Sequence, residues 1–414
     1  MSFVRGLRCV FCGAAYSTRI AYTCPACGIG GILDVEYDYA AIGRRLTRRS
    51  LAKRPQHDHW RYRELLPIGE GAALPALSVG WTPVVLTKPL ARHVGVSTLY
   101  LKDDGRNPSA SLKDRASSIG AVRAREKGRK IMACASTGNA ASSLAGMAAS
   151  LGLKSVIFVP ERAPEPKVTQ LLIFGATVLR VRGGYEQAFQ LCQGACEKWG
   201  WYNRNSGINP YLVEGKKTAG LEICEQLAWE PPEWVAVSVG DGCTIAGIWK
   251  GIREMKALGL MARTPKMLGV QAAGAAPVTA AFHSGRALEP MEPETVADSI
   301  AVGVPRNWKK AVMAVRESGG TMINVSDPEI LDAMGYTGRL AGVFAEPAAA
   351  TAVAGVRRAV GEGMIRKRAS VLALITGSGL KDTRSARAAA GEPFDIAADG
   401  GGLDEILERQ GLLE

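Results

Sequence analysis

The sequence predicts an α/β protein in which parallel sheets are covered by helices, and two observations carry that prediction. After about residue 95, short β-branched or apolar runs alternate with Ala-rich amphipathic stretches, the pattern of strands joined by crossover helices. The chain also has 414 residues, 47% of them hydrophobic. That is more than one core usually serves, so two principal lobes and a small appendage are expected.

Taken in order, the runs that read as strands are Thr98–Leu101, Lys130–Cys134, Ser155–Val159, Thr177–Val181, Trp234–Val239, Leu268–Gln271 and Val371–Ile375. Four loops stand out because each lies beyond the carboxyl end of a strand, where open α/β sheets place their ligands. They are the turn Asn107-Pro108-Ser109-Ala110-Ser111-Leu112-Lys113-Asp114-Arg115, then Ser136-Thr137-Gly138-Asn139, Gly240-Asp241-Gly242-Cys243-Thr244, and Thr376-Gly377-Ser378-Gly379-Leu380-Lys381-Asp382.

Composition removes several function classes. No run approaches 18 apolar residues and no extended apolar stretch precedes the first Cys, so neither a membrane span nor a secretory signal is indicated and a cytoplasmic protein is expected. Nine cysteines in a chain this long do not form a secreted disulfide scaffold. The formal charge of +12 invites a nucleic-acid reading. The densest basic run, Arg44-Arg45-Leu46-Thr47-Arg48-Arg49, is spaced as a solvated helix face, and no aromatic residues interleave with it, so no nucleic-acid partner is expected. An anionic cofactor and a small anionic substrate account better for the excess.

The loops carry specific chemistry. An imine-forming lysine must be partly desolvated or placed beside other positive charge. Lys113 sits among small residues at the start of a helix, where the dipole and Arg115 are expected to disfavour its ammonium form. Ser136 to Asn139 precede the helix-forming run Ala140–Gly146, so their backbone N–H groups can face an anion. Gly240, Gly242, Cys243 and Thr244 form a Gly-rich turn that can wrap a phosphate. Asp241 would repel that phosphate unless its carboxylate turns away to cap the helix or hold another group. Cys9-Val10-Phe11-Cys12 and Cys24-Pro25-Ala26-Cys27 are two Cys-x-x-Cys knuckles separated by eleven residues, a spacing that suits a structural zinc with no open coordination position.

In this order the four loops resemble those of the tryptophan-synthase-β superfamily of pyridoxal phosphate enzymes, and most closely those of the threonine synthases. The Cys-rich front end and the Gly80-Trp81-Thr82-Pro83 turn add to the resemblance. It implies a two-lobed fold type II architecture, with a zinc-ribbon-like segment at 1–39, a larger lobe from 40–97 and 211–414 that binds the cofactor phosphate, and a smaller lobe at 98–210 that carries the lysine. Lys113 is then the residue that holds pyridoxal 5'-phosphate and shuttles the α-proton. Ser136, Thr137 and Gly138 take the substrate α-carboxylate, Asn139 the ring hydroxyl, and Gly240, Gly242, Cys243 and Thr244 the cofactor phosphate. Thr376 or Ser378 meets the pyridine nitrogen, with Thr376 favoured.

The segment Asn203–Thr218 resembles the stretch that helps hold the substrate phosphate, but Leu212 stands where the family commonly has Arg. Arg204, Asn205 and Ser206 are expected to compensate. The implied reaction converts O-phospho-L-homoserine and water to L-threonine and phosphate in a homodimeric enzyme. Two sister activities share the loops, β-replacement on O-phosphoserine and deamination of serine or threonine. The non-enzymatic alternative is a ribbon-bearing binding protein that no longer turns over.

Overall fold

The structure is a computed structural model describing residues 2–19, 22–163 and 165–413. Residues 1, 20 and 21 of the expected ribbon, and 414 at the other end, lie outside the described residues. Three sheets organise the rest. A six-stranded sheet runs in the order Thr321–Val325, Lys266–Ala272, Trp234–Ser238, Ser370–Ile375, Thr98–Asp103 and Val84–Leu86, parallel throughout except for the last strand. A four-stranded parallel sheet follows the order Thr177–Val181, Lys154–Pro160, Ile131–Ala135 and Tyr202–Asn203. Helices supply the crossovers, and central strands such as Trp234–Ser238 are buried along their length, as strands covered on both faces must be.

All seven runs read as strands from the sequence are strands. Thr98–Asp103, however, pairs with Ser370–Ile375 in the six-stranded sheet. The strand at which the smaller lobe was expected to begin therefore belongs to the six-stranded sheet. An apolar run fits either sheet, and only its pairing partner decides.

The third sheet is the ribbon, where Val4–Cys9 pairs antiparallel with Ala15–Tyr16 and Leu33–Tyr37. It docks through buried charge. Asp34 accepts from Lys250 at 3.1 Å and from Lys310 at 3.0 Å, while the same lysines donate to the carbonyls of Val35 and Leu33. Tyr37 donates to Glu214 at 2.8 Å and Tyr39 to Glu254 at 2.9 Å.

The helix Tyr211–Gln226 lies at the centre, buried from Tyr211 through Cys224 although it carries Glu214, Lys216, Lys217 and Glu222. Glycines let it touch its neighbours backbone to backbone. A Cβ on Gly215 would fall 1.9 Å from the carbonyl oxygen of Arg115, one on Gly220 2.3 Å from that of Ile248, and one on Gly251 2.4 Å from that of Lys217. The Arg115 carbonyl belongs to Lys113–Glu126, the Ile248 carbonyl and Gly251 to Cys243–Ala257, the helices that begin at Lys113 and at the Gly240 loop, and the Lys217 carbonyl to the central helix itself. Glu222, fully buried, pairs with Lys102 at 2.6 Å and with Arg115, which also binds Asp104 at 2.6 Å.

Because backbone cannot yield as a side-chain tip can, Gly215→Ala is expected to destabilise the protein by at least the ~1–3 kcal/mol typical of overpacking. Gly194→Ala, in an exposed helix with open space around the new methyl, is expected to be neutral or to stabilise by up to ~1 kcal/mol. Denaturant unfolding of the two variants checks the contrast, and equal stabilities would refute the close approach.

Candidate active site and ribbon cysteines

Lys113 is held by the turn that precedes it and by the loop at the end of Ser370–Ile375. The Leu112 N–H donates to the Thr376 carbonyl at 2.8 Å, and the Ser378 N–H to the Ala110 carbonyl at 3.1 Å. Ala110 has a φ of +59°, a left-handed conformation that a β-branched residue would strain. Asp114 turns back to accept from the N–H and hydroxyl of Ser109 at 2.6 and 2.7 Å. The amine is thus placed by backbone pairing between two of the four loops, and it borders a cleft.

Burial lowers the Lys113 ammonium to about 8, and the positive charges of Lys216 and then Arg204 push in the same direction. Its side chain keeps contact with the cleft, yet the surrounding protein desolvates it. Arg115, expected to be the neighbour responsible, instead faces away into Asp104 and Glu222. The depressed value follows from desolvation with two cations that the sequence did not single out for this role.

Two cavities meet at Asn139, Ser299, Glu346 and Ala348. Lys113, Lys216, Gly240, Gly242, Cys243, Thr244 and Thr376 line one, and Thr137, Gly138 and Lys381 the other. Asn139 opens the helix Asn139–Ser150 and donates its amide to both Glu346 oxygens at 3.0 and 2.9 Å. Glu346 is buried, which raises its carboxyl above the usual range, against the opposing pull of Asn139 and Lys113. Glu346, Ser299 and Lys216 escaped the sequence reading. Glu346 precedes Pro347 at the start of a helix and looks like an ordinary cap, while Lys216 is hidden beside Lys217.

The Gly240 loop resolves the difficulty posed by Asp241. Its carboxylate accepts from the Arg306 N–H at 2.8 Å and the Asn307 side chain at 3.0 Å, and within the loop from the Cys243 thiol at 2.8 Å, so it is occupied by donors of its own while the loop backbone remains for an anion. A Cβ on Gly242, whose φ is +95°, would fall 2.6 Å from the Asn307 carbonyl oxygen, so only glycine fits. The Ser238 hydroxyl borders the same cavity, buried and without a hydrogen-bond partner among the described residues.

Not every expected contact lines the cleft. The Ser136 hydroxyl accepts from the Gly138 N–H at 3.1 Å, and Ser378 caps the turn at Leu380. Arg204, expected to meet the substrate, is fully buried beneath the site, donating to the hydroxyls of Ser117 at 2.9 Å and Ser206 at 3.0 Å and to the Lys113 carbonyl at 3.4 Å. Asn205 accepts from the Ala135 N–H and donates to the Cys192 sulfur. None of Ser136, Arg204, Asn205, Ser206 and Ser378 borders either cavity. Leu212 is also buried, its Cδ2 facing Gly120 in the core.

In the ribbon, the Sγ atoms of Cys9, Cys12, Cys24 and Cys27 all lie within 4.8 Å of one another. Cys9 and Cys27 are 3.9 Å apart, Cys12 and Cys24 3.7 Å. Tetrahedral ligands at the ~2.3 Å of a zinc–thiolate bond would stand roughly 3.8 Å apart, so the four sulfurs fit such an ion. The Phe11 N–H donates to the Cys9 sulfur at 3.4 Å.

Comparison with known proteins agrees with this geometry. Residues 76–377 match the model of the family described as pyridoxal-phosphate dependent enzyme. Threonine synthase of Methanocaldococcus jannaschii is 38% identical over 405 residues, 97% of this chain and 99% of that one. Threonine synthase of Methanosarcina acetivorans is 40% identical over 406 residues, 97% and 98% of the two chains. Among solved structures, threonine deaminase isoform 2 of Solanum lycopersicum superposes with a TM-score of 0.65 at 23% identity, covering 74% of this chain and 86% of that one. Maize serine racemase does so with a TM-score of 0.64 at 20% identity, covering 80% and 93%. The chain therefore belongs to the pyridoxal-phosphate dependent enzymes of fold type II and, within them, to the threonine synthase family.

A lowered Lys113 predicts its own titration. In cofactor-free protein the neutral amine is half-populated near pH 8, where an ordinary lysine with a value of ~10.4 is under ~1% neutral. Capture of Lys113 by an aldehyde probe, followed by borohydride trapping and peptide mapping, is expected to speed up as pH rises and to level off above about pH 9. A rate still climbing at pH 10 would show that the amine is not desolvated.

Proposed function

We propose that this protein converts O-phospho-L-homoserine and water into L-threonine and phosphate. The observation that carries the reading is a desolvated lysine amine between the Thr376 loop and the Gly240 loop, in a chain similar to threonine synthases along nearly its whole length. That full-length similarity supports it over the β-replacement, deaminase and non-catalytic alternatives.

Pyridoxal phosphate supplies an electron sink for the negative charge that develops on substrate carbons. The residues present fit it. Lys113 would hold it covalently, the backbone of Gly240, Gly242 and Cys243 with the Thr244 hydroxyl would hold its phosphate, and Asn139 its ring hydroxyl. Thr376 offers the ring nitrogen a neutral hydroxyl, which does not force protonation and suits elimination at the β and γ carbons. The Lys113 amine, with a value near 8, is a competent base for the α-proton around neutral pH. Thr137 and Gly138, lining the cleft at the start of a helix, receive the substrate carboxylate. Ser136 shapes that turn through its bond to the Gly138 N–H.

The reading extends to a cleft between two lobes, the smaller running from beyond Asp103 to about residue 210, and to one structural zinc on Cys9, Cys12, Cys24 and Cys27. On the family resemblance it also extends to a cytoplasmic homodimer.

Incubation of the protein with O-phospho-L-homoserine should release threonine and phosphate in equal amounts. Lys113→Ala should lose at least the ~10²-fold contributed by a positioned acid–base group. Phosphate release from O-phosphoserine with no threonine from O-phosphohomoserine would move the assignment to a sister enzyme. For the ribbon, metal analysis of well-washed protein should find one zinc per chain, and chelation should expose residues 9–28 to proteolysis while cofactor absorbance stays. A folded ribbon without zinc would reject the metal.

A further inference from the structure

Adjacent lysines on one helix meet opposite fates. Lys217 is neutralised, paired with Glu214 and, at 2.9 Å, with Glu254, and its ammonium lies 4.1 Å from the centre of the Tyr37 ring. Lys216 is only 2% exposed, yet it has no hydrogen-bond or ion-pair partner among the described residues. It borders the cavity that also holds Lys113, Cys243 and Thr244. An ammonium removed from water with no counter-charge is strongly destabilising, and one left so at the wall of a cavity is placed where an incoming anion would supply the missing charge.

We propose that Lys216 is the cation that receives the phosphate of the substrate, an inference that rests on the reaction given above. Two phosphates must be accommodated. The cofactor's can be met by the amides and hydroxyl of Gly240 to Thr244 at the start of a 15-residue helix, donors that need no cation. The substrate's is a dianion that departs with the electron pair of the Cγ–O bond, and a positive charge favours both its binding and its departure. The two cavities hold three lysines. Lys113 is the base, Lys381 is held by Ser142 at 3.1 Å and Gln170 at 3.0 Å, and Lys216 remains. The position where the family commonly carries arginine is closed to this role, since Leu212 faces the core, and Arg204 does not border the cleft. Lys216, one helical turn beyond Leu212, returns the missing charge from a different position.

The test uses holoenzyme of the wild type, Lys216→Met and Lys216→Arg. Lys216→Met is expected to keep its cofactor content and visible spectrum and to raise KM for O-phosphohomoserine by roughly 10- to 100-fold, the worth of one charge-assisted hydrogen bond. Inorganic phosphate should inhibit the wild type competitively and raise its Tm, and should do neither to Lys216→Met. Lys216→Arg should recover part of the affinity. Without phosphate, Lys216→Met should unfold at a higher temperature than the wild type, because it removes an uncompensated buried charge; a variant that fails to fold would contradict that and overturn the inference. Loss of cofactor from Lys216→Met with KM unchanged after reconstitution would assign Lys216 to the cofactor phosphate instead. Unchanged KM, inhibition and cofactor content would also overturn the inference while leaving the reaction intact, whereas a wild type that forms no threonine would fail the reaction itself.

Discussion

The contact on which the rest of this structure depends is the backbone-to-backbone approach of three helices at Gly215, Gly220 and Gly251. It places Tyr211–Gln226 directly between the helix that begins at Lys113 and the helix that begins at Cys243. The lysine and the phosphate-type loop sit on different β-strand ends, and nothing in either strand fixes their separation. The middle helix does, because a spacing set by carbonyl against Cα leaves no room for side-chain adjustment.

Burying that helix has an electrostatic consequence. On the sides away from the cleft its charges are matched, Glu222 by Lys102 and Arg115, and Glu214 and Lys217 by each other and by Lys250 and Glu254. On the cleft side Lys216 has no ion-pair partner among the described residues, so after burial its charge is the largest influence lowering the Lys113 amine, with Arg204 adding from beneath and Cys243 and Glu346 opposing. The same arrangement that makes the amine reactive therefore makes the cavity receptive to anions.

Much of this was legible in the sequence, for reasons that particular residues make plain. The four loops announced themselves because glycines and small polar residues after apolar strands have few other uses, whereas charge alone said only that the Asp241 carboxylate must find donors other than a phosphate, and not which ones. Other features depend on which side of an element faces inward, which no local pattern encodes. Thr98–Asp103 reads the same in either sheet, Arg115 and Arg204 look like cleft residues until their buried partners are known, and Lys216 differs from Lys217 only by the neighbours that tertiary packing supplies. The strand Tyr202–Asn203 has two residues, too few to show a period.

The ribbon strand Leu33–Tyr37 supplies Asp34 to Lys250 and Lys310, and Tyr37 to Glu214, in the body of the protein. A chain shortened ahead of residue 40 would thus keep two lysines and a glutamate that had lost a counter-charge or hydrogen-bond donor, on the outer faces of Cys243–Ala257 and its neighbours. Removing the ribbon is therefore not a neutral trimming of a terminus: it uncovers charges that the body of the protein was folded to have matched, and changing the basic residues beneath it is the way to compensate.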